Sequence, residues 1–193
     1  QVWLADGQLL NYNKLILATG AVPRTLPQVV SLKNVHVLRS RDNAAALRRA
    51  MQTAKTAVVI GGGYIGLEAA ASFRKVGLNV HVVEAVERLL ARVASPDISA
   101  FFRELHQFHG VMVHTGMTET KFHQKDGLLT GITLDTGEKI SAELLVVGIG
   151  VVPESVLADG IGAETGNGIL VDRRMRTTIE DVYAIGDVAL VEG

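Results

Sequence analysis

The residues whose types and spacing most directly suggest chemistry are three glycines, Gly61, Gly63 and Gly66, and a later acid, Glu84. The glycines lie in Ala57-Val58-Val59-Ile60-Gly61-Gly62-Gly63-Tyr64-Ile65-Gly66-Leu67-Glu68, where a short apolar run ends in Gly-x-Gly-x-x-Gly. Gly61 permits a tight turn, Gly63 lets backbone approach a pyrophosphate, and Gly66 lets a following helix lie close to the strand. The N-terminus of that helix presents unpaired N–H groups to phosphates. Glu84 ends the next apolar run, 79–84, eighteen residues after Gly66. An acid there accepts hydrogen bonds from the adenosine ribose hydroxyls of a dinucleotide. A 2′-phosphate would meet a like charge, so Glu84 favours NAD over NADP, with Arg88 and Arg92 close enough in sequence to offset this.

Three other apolar runs end in glycine: Leu15-Ile16-Leu17-Ala18-Thr19-Gly20, Val146-Val147-Gly148-Ile149-Gly150 and Ala184-Ile185-Gly186-Asp187. Ligands of open α/β sheets bind beyond the carboxyl ends of strands, where glycine admits them without collision. Each of the three alone also reads as an ordinary turn; their order along the chain is the more specific signal.

The elements that must position these residues follow from periodicity. Residues 14–18 read as a buried strand after a hairpin over 1–10 with its turn at Asp6-Gly7. Residues 40–51 read as a helix with Ser40 or Asp42 as N-cap, leading into the strand 57–60. A small-residue helix counted from Gly66, with Ala69, Ala70, Ala71 and Phe73, ends at Lys75-Val76-Gly77. Ser95-Pro96-Asp97 starts a helix that Gly110 stops, before a third strand at 111–113. The β-α-β-α-β order predicts a parallel sheet with helices on its faces. An antiparallel meander follows, with turns at Lys125-Asp126-Gly127 and Asp135-Thr136-Gly137, and 143–147 returns as a buried strand. The tail reads as glycine-rich loop with short strands at 169–172 and 182–185, and the last residues complete no further element.

The chain has 193 residues, 48% hydrophobic and 20% charged, with net charge −1. Such a balance gives no footprint for nucleic acid or an anionic membrane surface, and no apolar run spans a bilayer. It contains no cysteine, which excludes a disulfide, thiolate metal site or redox dithiol within this stretch and is compatible with a cytoplasmic protein. The six histidines have no metal-motif spacing, and no metal site is expected. The chain begins mid-pattern without Met and reads as a fragment of a longer protein.

Taken in order, these motifs resemble the two-dinucleotide flavoproteins of the pyridine-nucleotide–disulfide oxidoreductase family, in which an NAD(P)H domain is inserted into a split FAD domain. Ala18-Thr19-Gly20-Ala21-Val22-Pro23-Arg24 resembles the ATGxxPR motif at the exit from the first FAD half. Gly61 to Glu68 resembles the NADH fingerprint, and Gly148 to Pro153 the motif where the chain re-enters the FAD domain. Thr177 to Asp187 is similar to T-x8-GD, whose aspartate holds the FAD ribityl chain. The likeness is greatest to NADH-dependent ferredoxin reductases of oxygenase systems, of putidaredoxin and rubredoxin reductase type, through Gly61–Glu68, 88–93, 99–105 and 148–153. Thioredoxin reductases carry a CxxC in this region, and this chain has none.

The resemblance implies a Rossmann-like α/β fold with residues 1–26 ending the first FAD half, 27–151 forming the NAD-binding insert and 152–193 beginning the second FAD half. It implies FAD and NAD as cofactors and a ferredoxin or rubredoxin as iron–sulfur acceptor. It leaves room for a homodimer and implies neither nucleic acid nor membrane as partner. Gly61, Gly62, Gly63, Tyr64, Ile65 and Gly66 then line the NADH path, Glu84 takes the ribose, and Gly150 lies against the nicotinamide. Thr19, Gly20, Arg24 and Asp187 border FAD. Tyr64 stacks, acts as a lid or is an ordinary half-buried aromatic. Glu68 is the candidate catalytic residue, its carboxylate pairing with a lysine near the flavin; read from the residues alone, it is a first-turn acid stabilised by the helix dipole. The hydride passes to flavin without a protein nucleophile, and the fragment by itself is expected to be inactive, with weak FAD retention. Two alternatives remain: an NADH oxidase or the NADH component of a nitrite reductase, and a binding module of apoptosis-inducing-factor type that senses NADH.

Overall fold

The computed structural model describes residues 1–192, which fall into two compact units: Pro23–Gly150, and Gln1–Val22 together with the stretch from Val151 onward. The first is built on a five-stranded, wholly parallel sheet. Its spatial order is Val35–His36, Leu144–Val147, Thr56–Ile60, Asn79–Glu84, Val111–Thr115. The central strand is apolar without alternation because both its faces are covered: Ala57, Val58 and Val59 are completely buried. Val59 packs with Val80, Val82, Leu144 and Val146 against Leu67, Ala70 and Phe73 of the second helix. Val58, Val83, Leu145 and Val147 on the other face pack against Leu129, Ile132, Leu134 and Ile140.

Three helices cover this sheet's connections. Helix α1 (Arg41–Ala50) is capped by Ser40, whose hydroxyl accepts from the Asn43 N–H while the Asn43 side chain bonds the Ser40 N–H, a reciprocal capping box. Helix α2 (Tyr64–Lys75) starts directly after the glycine turn and buries Ala69, Ala70 and Phe73. Helix α3 (Pro96–Phe108) starts at the Ser95 cap with proline in its first turn.

The opposite face of the sheet carries the antiparallel meander Lys121–Lys125, Leu128–Thr133, Lys139–Ser141. Its first turn contains only Asp126 and Gly127, with φ of 54° and 75°, the paired positive values of a tight two-residue hairpin; Lys125 therefore belongs to the strand, opposite Leu128. Asn34 ties the meander to the sheet: its amide donates to the Leu129 and Glu143 carbonyls and its Oδ1 accepts from the Leu129 N–H.

In the other unit, Leu15–Leu17 pairs in parallel with Val182–Ala184, and Val2–Trp3 forms a hairpin with Leu9–Leu10. Gly168–Val171 lies between Thr165–Gly166 and Ala189–Val191. Leu17, Ala158, Ile169, Val171, Val182 and Val188 form the core.

Three expectations for this unit need correction. The residues after Asp187 do complete an element: a 3-10 turn, Gly186–Val188, buries Val188 and delivers Ala189–Val191 as a parallel partner of Gly168–Val171. The glycine-rich tail also holds a short helix, α4 (Val156–Gly160), whose Ala158 is fully buried. The strand at 14–18 is not buried throughout, because successive side chains alternate faces and Ile16 stands 58% exposed. Among the described residues no helix is long and apolar enough to cross a membrane.

Burial pushes the imidazoles of His36, His81 and His106 below their ordinary range, with His114 adding to the effect on His81 and His109 on His106. A buried base that stays neutral in the folded state binds fewer protons than it does unfolded. The stabilisation is present above the ordinary value of 6.5 and is lost as pH falls through it toward the lowered folded values. The urea midpoint is therefore expected to drop between pH 7 and pH 5 with m unchanged; a flat midpoint over that range would refute the assignment.

Candidate functional site

At the carboxyl edge of the parallel sheet, the chain leaves Thr56–Ile60 toward Asn79–Glu84 on one side and returns on the other as Leu144–Val147. That reversal is a topological switch point, where open α/β sheets bind their ligands. Backbone hydrogen bonds draw the three strand ends together: the Gly61 N–H donates to the Val83 carbonyl at 2.8 Å, and the Gly148 N–H to the Ile60 carbonyl at 2.7 Å.

The glycines here have different duties. Gly61 has φ +108°, and a side chain on it would strike the Gly148 carbonyl. A Cβ on Gly66 would run into the Gly61 carbonyl, so α2 sits directly on the turn. Gly63 has ordinary extended backbone, φ −81° and ψ −178°, and a Cβ there would enter open space. It is the N-cap of α2, and no side chain caps this helix. The helix N-terminus thus opens toward free volume with its amide donors uncovered, the condition an anionic ligand requires. Tyr64 and Ile65, in the first turn, are 55% and 40% exposed.

Gly62 is held on both sides of its peptide. Its N–H donates to Glu84 Oε2 at 2.6 Å, and its carbonyl accepts from the Leu90 N–H at 2.9 Å. Leu90 is buried with φ +53°, a conformation a branched apolar residue adopts only where its surroundings enforce it. The other Glu84 oxygen accepts from the Val86 N–H at 3.1 Å. The acid expected to meet a ribose is thus also the acceptor that fixes the glycine turn.

Arg88 does not stand ready beside Glu84. It donates to the Ala91 and Ala94 carbonyls and to Ser99 Oγ, bracing the loop between Glu84 and α3 from inside. Ser99 Oγ in turn donates to the Leu89 carbonyl. Arg92 is exposed, its guanidinium 3.8 Å from where a Cβ on Gly150 would lie. Glu68 is exposed and lies in the second turn of α2, because the helix starts at Tyr64 and has no acid in its first turn. The helix-dipole account of Glu68 therefore does not apply, since that effect fades within one turn.

The remaining motif residues gather in two places. Gly150, with φ +101°, accepts at its carbonyl from the Arg24 N–H at 2.9 Å. In the other unit, Leu15–Leu17 and Val182–Ala184 end side by side, and the Ile185 N–H donates to the Leu17 carbonyl. Thr19-Gly20 and Gly186-Asp187 follow from that common edge, with both glycines at positive φ. Thr19 Oγ1 donates to the Glu154 carbonyl at 2.6 Å, and Asp187 is exposed on the 3-10 turn.

Sequence spacing missed the Leu90 clamp and the Arg88–Ser99 brace. It also missed the approach of His81, His114 and Glu138, which lie on different strands and turns. No linear motif marks any of these, because each joins residues across the loop or the sheet.

The chain resembles known proteins over nearly its whole length. The chain is 44% identical over 190 residues to rhodocoxin reductase of Rhodococcus erythropolis, covering 98% of this chain and 44% of that protein. It is 41% identical over 186 residues to rubredoxin-NAD(+) reductase of Pseudomonas putida, covering 96% of this chain and 48% of that one. Among solved structures, the covalent putidaredoxin reductase–putidaredoxin complex superposes with a TM-score of 0.94 at 36% identity, covering 100% of this chain and 48% of that chain. The chain thus spans about half the length of the relatives it matches. With residues 2–193 matching the family model for pyridine nucleotide-disulphide oxidoreductases, the chain belongs to that family.

Proposed function

We propose that this chain is the nucleotide-binding portion of an FAD-dependent reductase that takes reducing equivalents from NADH and passes them to a ferredoxin- or rubredoxin-type iron–sulfur protein. In this reading residues 27–151 are the NADH-binding insert, and the flanking stretches 1–26 and 152–193 belong to the two halves of an FAD domain. The observation that carries the reading is the uncapped N-terminus of α2, opening onto free space at Gly63 with the Glu84 carboxylate beside it, at the switch point of a parallel sheet. The relatives whose names specify NAD(+), rubredoxin and putidaredoxin support the choice of donor and acceptor.

The residues present fit the groups proposed. The donors at Tyr64 and Ile65 receive the pyrophosphate, the bare Gly63 leaves room for it, and Gly61 and Gly66 hold the turn against the sheet. Glu84 accepts from the adenosine ribose with the lone pairs that Gly62 and Val86 leave unused, and repels a 2′-phosphate. Gly150 leaves the nicotinamide end unobstructed. Thr19, Gly20 and Asp187 border the flavin site at their common strand edge, and Glu68 offers an exposed carboxylate to a cationic partner. When bound, the cofactor pair supplies hydride transfer from nicotinamide to flavin and onward single-electron transfer. The protein's part is orientation and electrostatics.

Titration of the chain with NADH and NADPH tests this directly. NADH is expected to bind at least about tenfold more tightly, a difference of roughly 1.4 kcal/mol. Equal affinity would overturn the role of Glu84. FAD alone is expected to be retained weakly, and stoichiometric flavin binding by this chain would contradict the division into an insert and partial flanks. In the full-length protein, NADH-driven reduction of a ferredoxin or rubredoxin supports the acceptor. Oxygen consumption without any acceptor would assign an oxidase instead.

A further inference from the structure

A second cluster of chemically competent side chains lies on the face of the sheet away from the helices. His81 is on Asn79–Glu84, His114 on the neighbouring Val111–Thr115, and Glu138 in the turn that leads into Lys139–Ser141 of the meander. The sheet register places Val83 opposite His114, so the two histidines are diagonal neighbours on one face. His81 Nδ1 and His114 Nε2 are 3.0 Å apart, and His114 Nδ1 is 3.8 Å from Glu138 Oε2. One ligand atom from each of the three lies within 4.8 Å of the others. None of the three takes part in the nucleotide site.

We propose that His81, His114 and Glu138 form a divalent-cation site, of zinc type, that ties the meander to the parallel sheet. Two imidazole nitrogens and one carboxylate oxygen are a donor set that zinc accepts, with solvent completing the fourth position. Two nitrogen ligands of a tetrahedral zinc stand about 3.3 Å apart, given Zn–N bonds of about 2.0–2.1 Å. The present 3.0 Å separation is within a few tenths of an ångström of that.

The ring geometry shows what occupies the position without a cation. The planes differ by 11° and the centroids are 5.3 Å apart, so the rings lie in line and one N–H points at the other nitrogen's lone pair. A shared proton thus stands where the metal would. For both lone pairs to converge on a cation, each imidazole swings by roughly 35° about its terminal torsion, a rotation with a broad energy well. His81 then carries its proton on Nε2, and His114 ligates through Nε2 with its proton on Nδ1. Glu138 stands beside His114 Nδ1, and from its exposed turn its carboxylate must move to the Nε2 side of that ring to ligate. His81 is only 8% exposed, so the surrounding sheet holds its imidazole in place.

Chelator-stripped protein titrated with Co²⁺, followed by visible absorption, tests the site. The expected result is a d–d band saturating at one Co²⁺ per chain, displaced by Zn²⁺, with Zn²⁺ also raising the thermal midpoint. His114→Gln and Glu138→Gln should each weaken Co²⁺ binding at least roughly tenfold, since losing a ligand costs more than losing its outer partner. His123→Gln is the control: that imidazole pairs with Thr133 Oγ1 at 2.7 Å elsewhere on the meander, and its loss should leave binding unchanged. Absence of the band at millimolar Co²⁺, or equal affinity in Glu138→Gln and the parent, overturns the proposal. Glu138 is exposed, so that variant reports even if His114→Gln fails to fold. Neither readout involves NADH, so the outcome is independent of the nucleotide assignment.

Discussion

Gly66→Ala is expected to destabilise the Pro23–Gly150 unit by about 3 kcal/mol or more, whereas Gly63→Ala, three residues earlier, should change stability by less than about 1 kcal/mol and still abolish NADH binding. The contrast follows from what each new methyl group meets. On Gly66 it would drive into the Gly61 carbonyl, with Val59 Cγ1 at 3.2 Å behind it. Both obstacles are fixed: Gly61 is bonded to Val83 and Val59 is completely buried. Relief requires α2 to lift from the sheet, which opens the packing of Leu67, Ala70 and Phe73. Overpacking against backbone thus reaches the upper end of the usual 1–3 kcal/mol.

On Gly63 the methyl meets nothing, and the backbone is already in a region alanine adopts. The loss of glycine at an N-cap and the reduced entropy of the unfolded chain have opposite signs and similar size, each about 0.5–1 kcal/mol. The methyl then stands in the space through which a pyrophosphate approaches the α2 donors. Urea unfolding and NADH titration on both variants separate the effects. If Gly63→Ala binds NADH as the parent does, the pyrophosphate does not lie there.

These two glycines also show how far the sequence could be read. The Gly-x-Gly-x-x-Gly spacing assigned distinct duties to Gly61, Gly63 and Gly66, and the tight turn at Gly61 and the close helix at Gly66 are both present, because each leaves little freedom in where glycine can stand. The parallel sheet was legible because Ala57–Ile60 and Leu144–Val147 are continuous apolar runs, and 80–83 is apolar but for His81, with helical periodicity between them. Glu68 was misplaced by a turn because counting began at Gly66, while the helix itself begins at Tyr64, where extended backbone at Gly63 ends.

The tail was misread for a different reason. Ala189–Val191 is a strand only because Gly168–Val171 lies beside it to pair with, and a three-residue run carries no periodicity of its own. Arg88, read as a cation near the ribose, is turned inward by carbonyls at 91 and 94 and by Ser99, a choice set by loop closure. The His81–His114–Glu138 cluster has the same origin: cross-strand register made it, and linear spacing conceals it.

Glu84→Gln and Glu84→Ala should differ in kind, because Glu84 serves both the turn and the proposed ribose contact. Alanine removes the acceptor of the Gly62 N–H and of the Val86 N–H together. Leaving a half-buried amide without a partner costs about 1–3 kcal/mol, and the freed turn no longer presents the α2 donors in place. Glu84→Ala is thus expected to weaken NADH and NADPH alike, by tenfold or more, and to lower the urea midpoint.

Glutamine keeps one acceptor oxygen for Gly62, gives up the acceptor of the more exposed Val86 N–H, and discards the charge. NADH then loses a charge-assisted contact, roughly tenfold in affinity, while NADPH escapes the repulsion of its 2′-phosphate. The NADH preference of Glu84→Gln should therefore fall to near-equal affinity for the two nucleotides, with the midpoint lowered less than in Glu84→Ala. It should not invert, because Arg88 is committed to Ala91, Ala94 and Ser99 and supplies no cation for the phosphate. Isothermal titration of both nucleotides against both variants decides the matter. Unchanged affinities in Glu84→Gln would leave Glu84 as a support of the turn alone, and the preference for NADH would have to arise elsewhere on the chain.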